Sequence, residues 1–486
     1  MREILLAALK TGSGTFFRLL FGIVKIKIVA VFLGPSGIGV YSLLRQTSQT
    51  TTTLATLNSS AALVQGLSSK TGEAREGYLL TVARILAISG GVITILLLFF
   101  APSVAQLVFA KRDPEFVGLI RWLSVPILFS SINAYMMGVL NGYRALGRMA
   151  IGQVAGAFVS GLAVYPLVKL GRPEIFVVLL SIASGISLLT STYFALQAGW
   201  LRPLRRWLRD PWQREHVRHF FSIALTTLVT GFVGTGSVLA VRAMFVRYGG
   251  LPAAGIFDVA WTLSVSYVML ALGSLGTYYL PSLSGIQDST KLVALIQRIL
   301  RVTIMLMVPL ITGMIVLKPL IIHLLYSSKF DPSLKIIRWM FVGDYLKATS
   351  WVLGMPMLAY ADMKVFFWTE IAWRGAFTGI AAWSLFQWKD VQGVGIGFLG
   401  LYAIHLFYVL HYCRSRHALK LNRRIIWLWS AGLVIIVGAS LTYWQKMAFS
   451  IGPGMGWIGI ALVASLFGFE PGERGKIVQF MHQDRR

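Results

Sequence analysis

The sequence predicts an all-α integral membrane protein with two six-helix lobes and two extra C-terminal transmembrane helices. Mean hydropathy is +0.70, and only 13% of the 486 residues are charged. Apolar segments of about 20 residues, the length that crosses a bilayer as an α-helix, recur along the whole chain. A membrane β-barrel would show alternating segments of about 10 residues instead, and the sequence has none.

The apolar segments form two groups of six and a final pair. They lie near residues 4–32, 38–66, 78–101, 117–140, 149–168, 174–198, 220–246, 253–282, 299–325, 336–359, 365–387, 392–413, 425–445 and 453–469. We therefore expect an N-terminal lobe over 1–200, a basic connector over 201–219 and a C-terminal lobe over 220–413. A second basic connector, the two extra helices and a cytoplasmic tail fill 414–486.

The two predicted lobes repeat each other in sequence. Gly34 and Gly39, in the turn LGPSGIG, recur 216 residues later as Gly250 and Gly255. Matches at nearly the same offset are Pro102 with Pro319, Phe109 with Tyr326, Ile120-Arg121-Trp122 with Ile337-Arg338-Trp339, and Gly138 with Gly354. Because six spans make up each unit, the repeats are parallel and related by an axis along the membrane normal. Two such lobes would place a substrate site between them.

The net charge of +27 is typical here of a membrane protein rather than of a nucleic-acid-binding protein. The positive residues concentrate in alternate short loops, above all in the connectors 201–219 and 414–424, as the positive-inside rule requires. An even number of spans precedes each connector, so we expect a cytoplasmic N-terminus. The single cysteine, Cys413, excludes an intramolecular disulfide, and no His/Asp/Glu group has the spacing of a metal site.

Cations inside the first two spans mark a candidate binding site. Arg18 and Lys25 lie seven residues apart on one helix face, and Arg45 and Gln46 precede the polar run TSQTTTT. A charge at the bilayer centre costs at least about 2.5 kcal/mol, so these cations should not face lipid. No acidic residue lies in the first two spans, and an incoming anion is the expected partner. Lys27 could instead reach outward to the interface.

Ionisable residues in the second lobe complete the candidate set. Arg242 and Lys347 are assigned to the cationic substrate cavity, and Asp258, Asp344, Glu370 and Arg374 to gating or coupling. Asp344 with Lys347, and Glu370 with Arg374, have the spacing of ion pairs on one helix face. Two interpretations stay open for these pairs. They could hold helices together, or they could form a gate whose partners exchange during transport.

The turn LGPSGIGVYSLLRQ, residues 33–46, resembles the signature between the first two helices of Wzx-type flippases. These belong to the multidrug/oligosaccharidyl-lipid/polysaccharide (MOP) exporter superfamily. The segments SSKF (327–330), FVGDYLK (341–347) and FFWTEI (366–371) are similar to the enterobacterial common antigen branch, which carries lipid III. The resemblance covers about residues 5–413. The extension after about residue 414 departs from the family's twelve-span core.

The resemblance implies alternating access by two lobes around a cationic central cavity. Arg18, Lys25 and Arg45 match the positions of the family's cavity cations, and Asp344 and Lys347 match its VGDxLK element. The implied function is to flip an undecaprenyl-diphosphate-linked oligosaccharide from the cytoplasmic to the periplasmic leaflet of the bacterial inner membrane, for O-antigen or enterobacterial common antigen synthesis. The implied partners are this glycan, the bilayer, a polysaccharide polymerase and chain-length machinery. No cofactor, metal or nucleic acid is expected.

Three other functions compete with this interpretation. A MATE-like drug/cation antiporter would favour carboxylates in the first lobe, where this chain has arginine and lysine. A membrane enzyme would need a longer extracytoplasmic loop or a paired acid/base set. A purely structural component would not need unpaired cations inside the membrane. We therefore expect a transporter and not an enzyme, with the antiporter as the alternative.

Overall fold

The computed structural model describes residues 2–284, 286, 288–360, 362–443 and 451–468. Within these ranges all regular secondary structure is helical, which confirms the all-α prediction. The chain divides into two compact units, called here unit 1 (residues 1–258 and 325–327) and unit 2 (259–324 and 328–486). The predicted tail beyond residue 468, and residues 444–450 between the last two helices, lie outside the described residues.

Unit 1 is built on helices α1 to α9. Their bounds are α1 Arg2–Ala55, α2 Ser60–Ser69, α3 Gly72–Phe99, α4 Ala101–Phe109, α5 Pro114–Trp122, α6 Ser124–Gly142, α7 Leu146–Val168, α8 Ile175–Gln197 and α9 Arg214–Trp261, whose last turn belongs to unit 2. Helix α1 packs on α7, and α6 packs on α2, α3 and α8. Tyr78 anchors the core between α2 and α3, where its buried hydroxyl donates to the carbonyl of Ala62 at 2.8 Å.

Helices α1 and α9 are each broken by a glycine. Gly34 has φ 63° and ψ −161°, and Gly250 has φ 73° and ψ −170°. These left-handed conformations are accessible to glycine without a Cβ clash, and the prolines that follow, Pro35 and Pro252, lack the N–H that would continue the helix. The two kinks lie 216 residues apart and match in geometry. The predicted repeat therefore has a structural counterpart.

The two kinked helices pack backbone against backbone just beyond the kinks. A Cβ at Gly39 would overlap the carbonyl oxygen of Leu251, and a Cβ at Gly255 would overlap that of Pro35. The contact is reciprocal, because each glycine meets the residue that follows the other helix's kink glycine. Only glycine allows such a close approach. Through this packing, residues up to 258 belong to unit 1. The lobe boundary expected at the connector 201–219 stays a prediction.

Unit 2 begins with the last turn of α9 and continues through helices α10 to α16. Their bounds are α10 Tyr267–Ser284, α11 Ser289–Leu325, α12 Leu334–Ala359, α13 Met363–Trp383, α14 Gln392–His417, α15 Arg423–Thr442 and α16 Ile451–Phe467. A π-helical turn at Thr262–Ser266 precedes α10, and α12 packs closely on α14. Helix α15 is tied to α12 through Trp429, whose carbonyl accepts from Tyr345 at 2.9 Å and whose indole N–H donates to Thr349 at 3.0 Å.

The outer surfaces of the helices are apolar, as expected for contact with lipid. Eight helices in the described part of the chain are long and apolar enough to cross a membrane. Large side chains such as Phe99 and Val434 are 78% and 70% exposed on them. Such exposure would be unfavourable in water, but lipid-facing helices need no apolar partner. The prediction of an integral membrane protein agrees with this surface.

Candidate functional site

A group of polar side chains on α1 and α9 forms the candidate site, and we call it the cationic cluster. Its members are Lys25, Tyr41, Arg45, Gln46, Arg242 and Asp258. All of them lie 7 to 12 residues from the kink of their own helix, or about 10–18 Å at 1.5 Å per residue. These distances are about a third to more than half of the roughly 30 Å thickness of a hydrocarbon core.

Arg242 is the most buried member of the cluster, and both terminal nitrogens of its guanidinium have partners. Its guanidinium forms an ion pair with Asp258 and donates a second hydrogen bond to the side-chain oxygen of Gln46. Arg242 is only 1% exposed. The amide of Gln46 donates in turn to the carbonyl of Thr235 at 2.9 Å. This chain of contacts fixes the orientation of Arg242.

Arg45 pairs with the same carboxylate, and both Arg45 and Lys25 lie near the Tyr41 ring. Arg45 lies 3.3 Å from Asp258, on the same oxygen that pairs with Arg242. Its guanidinium carbon is 5.7 Å from the centre of the Tyr41 ring, and the Lys25 nitrogen is 5.6 Å from that centre. Two cations, Arg45 and Arg242, thus share one carboxylate, and the third, Lys25, lies beside the neighbouring phenol ring. The six side chains of the cluster together carry three positive charges and one negative charge, and an anion would be attracted to this excess of positive charge.

The structure separates Arg18 and Lys27 from this cluster. Arg18 is exposed on α1 and donates to the side-chain oxygen of Gln153, on α7, at 2.9 Å. Lys27 donates to the carbonyl of Tyr326 at 2.6 Å. Arg18 is therefore a predicted site residue that the described contacts do not bring to the others. Lys27 binds a backbone carbonyl instead of reaching outward.

Arg45 has a carboxylate partner in the structure, although no acidic residue lies in the first two predicted spans. Asp258 meets it from α9, 213 residues away in sequence. Asp258 was assigned to gating, yet it lies among the cavity cations. Tyr41 was not predicted at all. One signal could have found both residues, because Lys25 and Tyr41, like Arg242 and Asp258, lie sixteen residues apart across a kink glycine.

A second charged group lies in unit 2, and we call it the balanced network. Asp344 is fully buried, accepts from the Ser264 hydroxyl at 2.6 Å and lies 3.8 Å from the Lys347 nitrogen. Arg374 lies 3.2 Å from Glu370. Both predicted ion pairs therefore form. Among the described residues there is no group of three His, Cys, Asp or Glu side chains that could hold a metal ion.

Known proteins resemble the chain in sequence and in fold. A family model described as polysaccharide biosynthesis protein matches residues 20–335. The lipid III flippase of Escherichia coli K12 is 21% identical over 406 residues, which cover 82% of this chain and 95% of that protein. The lipid II flippase MurJ, in an inward closed conformation, superposes with a TM-score of 0.72 at 17% identity, covering 96% of this chain and 99% of that one.

The fold is also that of a drug transporter. An inward-facing multidrug resistance transporter of the MATE family, in the MOP superfamily, gives a TM-score of 0.70 at 13% identity, covering 85% of this chain and 98% of that chain. At such identities the two solved structures show the fold alone. The choice between their functions therefore depends on the sequence family and on the chemistry of the site.

Proposed function

The chain belongs to the polysaccharide biosynthesis protein family, and we propose that it flips an undecaprenyl-diphosphate-linked oligosaccharide across the inner membrane. The family match over residues 20–335 includes every member of the cationic cluster. It confirms, together with the relatives, the family resemblance seen in the segment 33–46. The relatives named lipid III flippases make lipid III the first substrate to test.

The observation that carries this proposal is the excess positive charge of the cationic cluster. A diphosphate headgroup is an anion that must pass the hydrocarbon region. Arg45 can hold phosphate oxygens with two parallel N–H donors, whereas Lys25 acts as a point charge. Arg45 retains 26% side-chain exposure, so it is the cation best placed to meet a ligand, while Arg242 is held from behind by Asp258 and Gln46.

Asp258 gives the cluster a way to release its ligand. The carboxylate lies 3.3 Å from Arg45, so in this proposal it neutralises Arg45 whenever no diphosphate is bound. An arriving diphosphate competes with Asp258 for Arg45, and the carboxylate replaces the diphosphate when it leaves. A membrane potential that is negative inside favours outward movement of the anion by about 2.3 kcal/mol per charge per 100 mV.

The balanced network serves the conformational change in this proposal. Asp344 pairs with Lys347 within one helix, and Glu370 pairs with Arg374 within another. Since each pair has one positive and one negative charge, the two pairs can exchange partners without leaving an unpaired charge. We place Lys347 with this gate rather than with the substrate, because its nitrogen lies 3.8 Å from the buried carboxylate of Asp344. The N-terminus faces the cytoplasm in this scheme, and a polymerase with its chain-length machinery receives the glycan on the other side.

Transport in proteoliposomes tests the proposal. The assay reconstitutes the full chain with lipid III and measures its arrival on one side with a sugar-modifying enzyme. We expect Arg45→Gln and Lys25→Gln to lower the initial rate about tenfold or more, because each removes a charged contact with the diphosphate. Lys111→Gln is the matched control, since Lys111 lies in a loop with a side chain that is 60% exposed.

Two further results would test the choice of binding cations and the choice between flippase and antiporter. Arg18→Gln should reduce transport less than Arg45→Gln, because Arg18 contacts Gln153 and not the cluster. Efflux of an organic cation, with no transport of any lipid-linked glycan, would contradict the flippase and favour the MATE-like antiporter.

A further inference from the structure

A second polar site lies in unit 1, at the break between α1 and α2. A shallow pocket of about 520 Å³, wide open to the surface, lies there. Its walls come from the break itself, from α2, from the end of α6 and from α9. The lining residues are Asn58, Ser60, Ala61, Val64, Gln65, Ser68, Asn141 and Thr227.

The chemistry of this polar pocket differs from that of the cationic cluster, because no lining residue is charged. Within the described part of the chain, the side-chain amides of Gln65 and Asn141 make no hydrogen bond. Each amide offers two N–H donors and a carbonyl acceptor. Hydroxyl groups of sugars also donate and accept, so they complement such a surface. A phosphate would find no countercharge among these side chains.

The pocket wall is held in an unusual backbone conformation. Leu57 and Asn58 both adopt left-handed angles, with φ of 51° and 46°, which side chains other than glycine rarely do. Contacts from α9 maintain it: the Asn58 amide donates to the carbonyl of Thr227 at 2.7 Å, and the Thr227 hydroxyl donates to the carbonyl of Asn58 at 3.2 Å. Backbone strain of this kind concentrates at functional sites.

The position of the pocket suits an elongated ligand. Asn58 lies 13 residues beyond Arg45, or about 20 Å along the direction of α1. Helix α2 lines the pocket and ends at Ser69, six residues before Arg75, and Asn141 precedes the basic loop with Arg144 and Arg148. The pocket therefore lies toward the basic loops, from which the substrate enters in the proposed function.

We infer that this pocket binds sugar residues of the transported glycan while the cationic cluster binds its diphosphate. The inference rests on the proposed function and deepens it, because it assigns the recognition of sugar and of phosphate to different side chains. Gln65 and Asn141 form hydrogen bonds with the hydroxyl and amide groups of the glycan. Asn58 and Thr227 keep the wall in place and are positioning residues.

Binding of two lipids to the full chain tests this inference. Native mass spectrometry measures the affinity of lipid III and of undecaprenyl diphosphate, which has no sugar. We expect the double variant Gln65→Leu/Asn141→Leu to bind lipid III about tenfold more weakly, because two hydrogen-bonding groups are lost, and to bind undecaprenyl diphosphate as the native chain does. Gln197→Leu, an exposed amide at the end of α8, is the matched control.

The possible results distinguish a failure of the proposed pocket from a failure of the proposed flippase. Native-like binding of lipid III by the double variant, or equal affinities of the native chain for both lipids, would overturn the pocket and leave the flippase standing. Failure of the native chain to bind either lipid would overturn the flippase itself. The single variant Gln65→Leu separates a loss of binding from a folding defect, because this exposed amide makes no hydrogen bond within the described structure. It should also weaken lipid III binding.

Discussion

The cationic cluster of unit 1 and the balanced network of unit 2 bury similar groups with opposite charge balance. The cluster has three cations, Lys25, Arg45 and Arg242, and one carboxylate, Asp258, which pairs with the two arginines. The network matches two carboxylates with two cations. Charges inside a membrane are costly unless they are paired. A balanced group therefore needs no ligand, whereas in the proposed function an anion completes the charge balance of the cluster.

The two groups also differ in what they connect. The ion pairs of the balanced network lie within single helices, at spacings of three and four residues. They do not join two helices by themselves, and the hydrogen bond from Ser264 to Asp344 provides a link to the π-helical turn. The cationic cluster instead joins α1 to α9. Loss of one charge should therefore have different consequences in the two regions.

The largest effect is expected for Asp258→Asn. This change leaves Arg242, 1% exposed, without its carboxylate, and a guanidinium cannot lose its proton to escape the cost. We expect the free energy of unfolding in detergent to fall by about 3–5 kcal/mol. Arg242→Met/Asp258→Leu should recover most of this stability but not transport. A stable Asp258→Asn variant would show that the pair is not a structural requirement.

Lys347→Met makes the corresponding change in the balanced network. Asp344 keeps its hydrogen bond from Ser264, and a carboxyl can take up a proton and become neutral. We therefore expect a smaller loss, about 1–3 kcal/mol, in the same unfolding measurement. The comparison fails if Lys347→Met destabilises the protein more than Asp258→Asn does.

Gly255→Ala tests the packing that aligns the cluster. The added Cβ would overlap the Pro35 carbonyl oxygen and push α9 away from α1. We expect about 1–3 kcal/mol of destabilisation relative to Gly236→Ala, together with reduced transport. Gly236 is the matched control on the same helix, because among the described residues no heavy atom lies within 4 Å of a Cβ built there. Equal stability of the two variants would refute the close contact.

The smallest effect is expected for Glu370→Gln. The Glu370 and Arg374 side chains are 34% and 27% exposed, and they pair within one helix. Because both side chains are about one third exposed, we take water to reach them, and water-exposed pairs contribute about 0.5 kcal/mol or less. A thermal shift within the error of the native chain would agree with this. A loss as large as that of Lys347→Met would mean that the network is tighter than its geometry indicates.

The sequence was sufficient for the fold and for the types of residue at the site. Hydropathy located the helices, and the glycine repeat located both kinks, because glycine and proline act locally on the backbone. The sequence was not sufficient to identify which side chains contact each other. Arg45 meets Asp258 across 213 residues, and Arg18 meets Gln153 rather than Lys25. Such contacts depend on helix packing, which a single sequence does not contain.

The break that forms the polar pocket was also missed. Residues 38–66 were predicted as one span, but α1 ends at Ala55 and α2 begins at Ser60. Leu57 has no preference for the left-handed conformation that it adopts. The bonds between Asn58 and Thr227 of α9 impose it. A tertiary contact therefore overrides the local helical pattern at this position.

The most direct test of the central claim measures how binding depends on the charge of the lipid headgroup. The full chain would be titrated with undecaprenyl diphosphate, undecaprenyl phosphate and undecaprenol, which share the tail and differ in charge. We predict the tightest binding for the diphosphate and the weakest for the alcohol, with smaller differences in Arg45→Gln, because the cationic cluster accepts an anion. Equal affinity for the three lipids in the native chain would contradict this account.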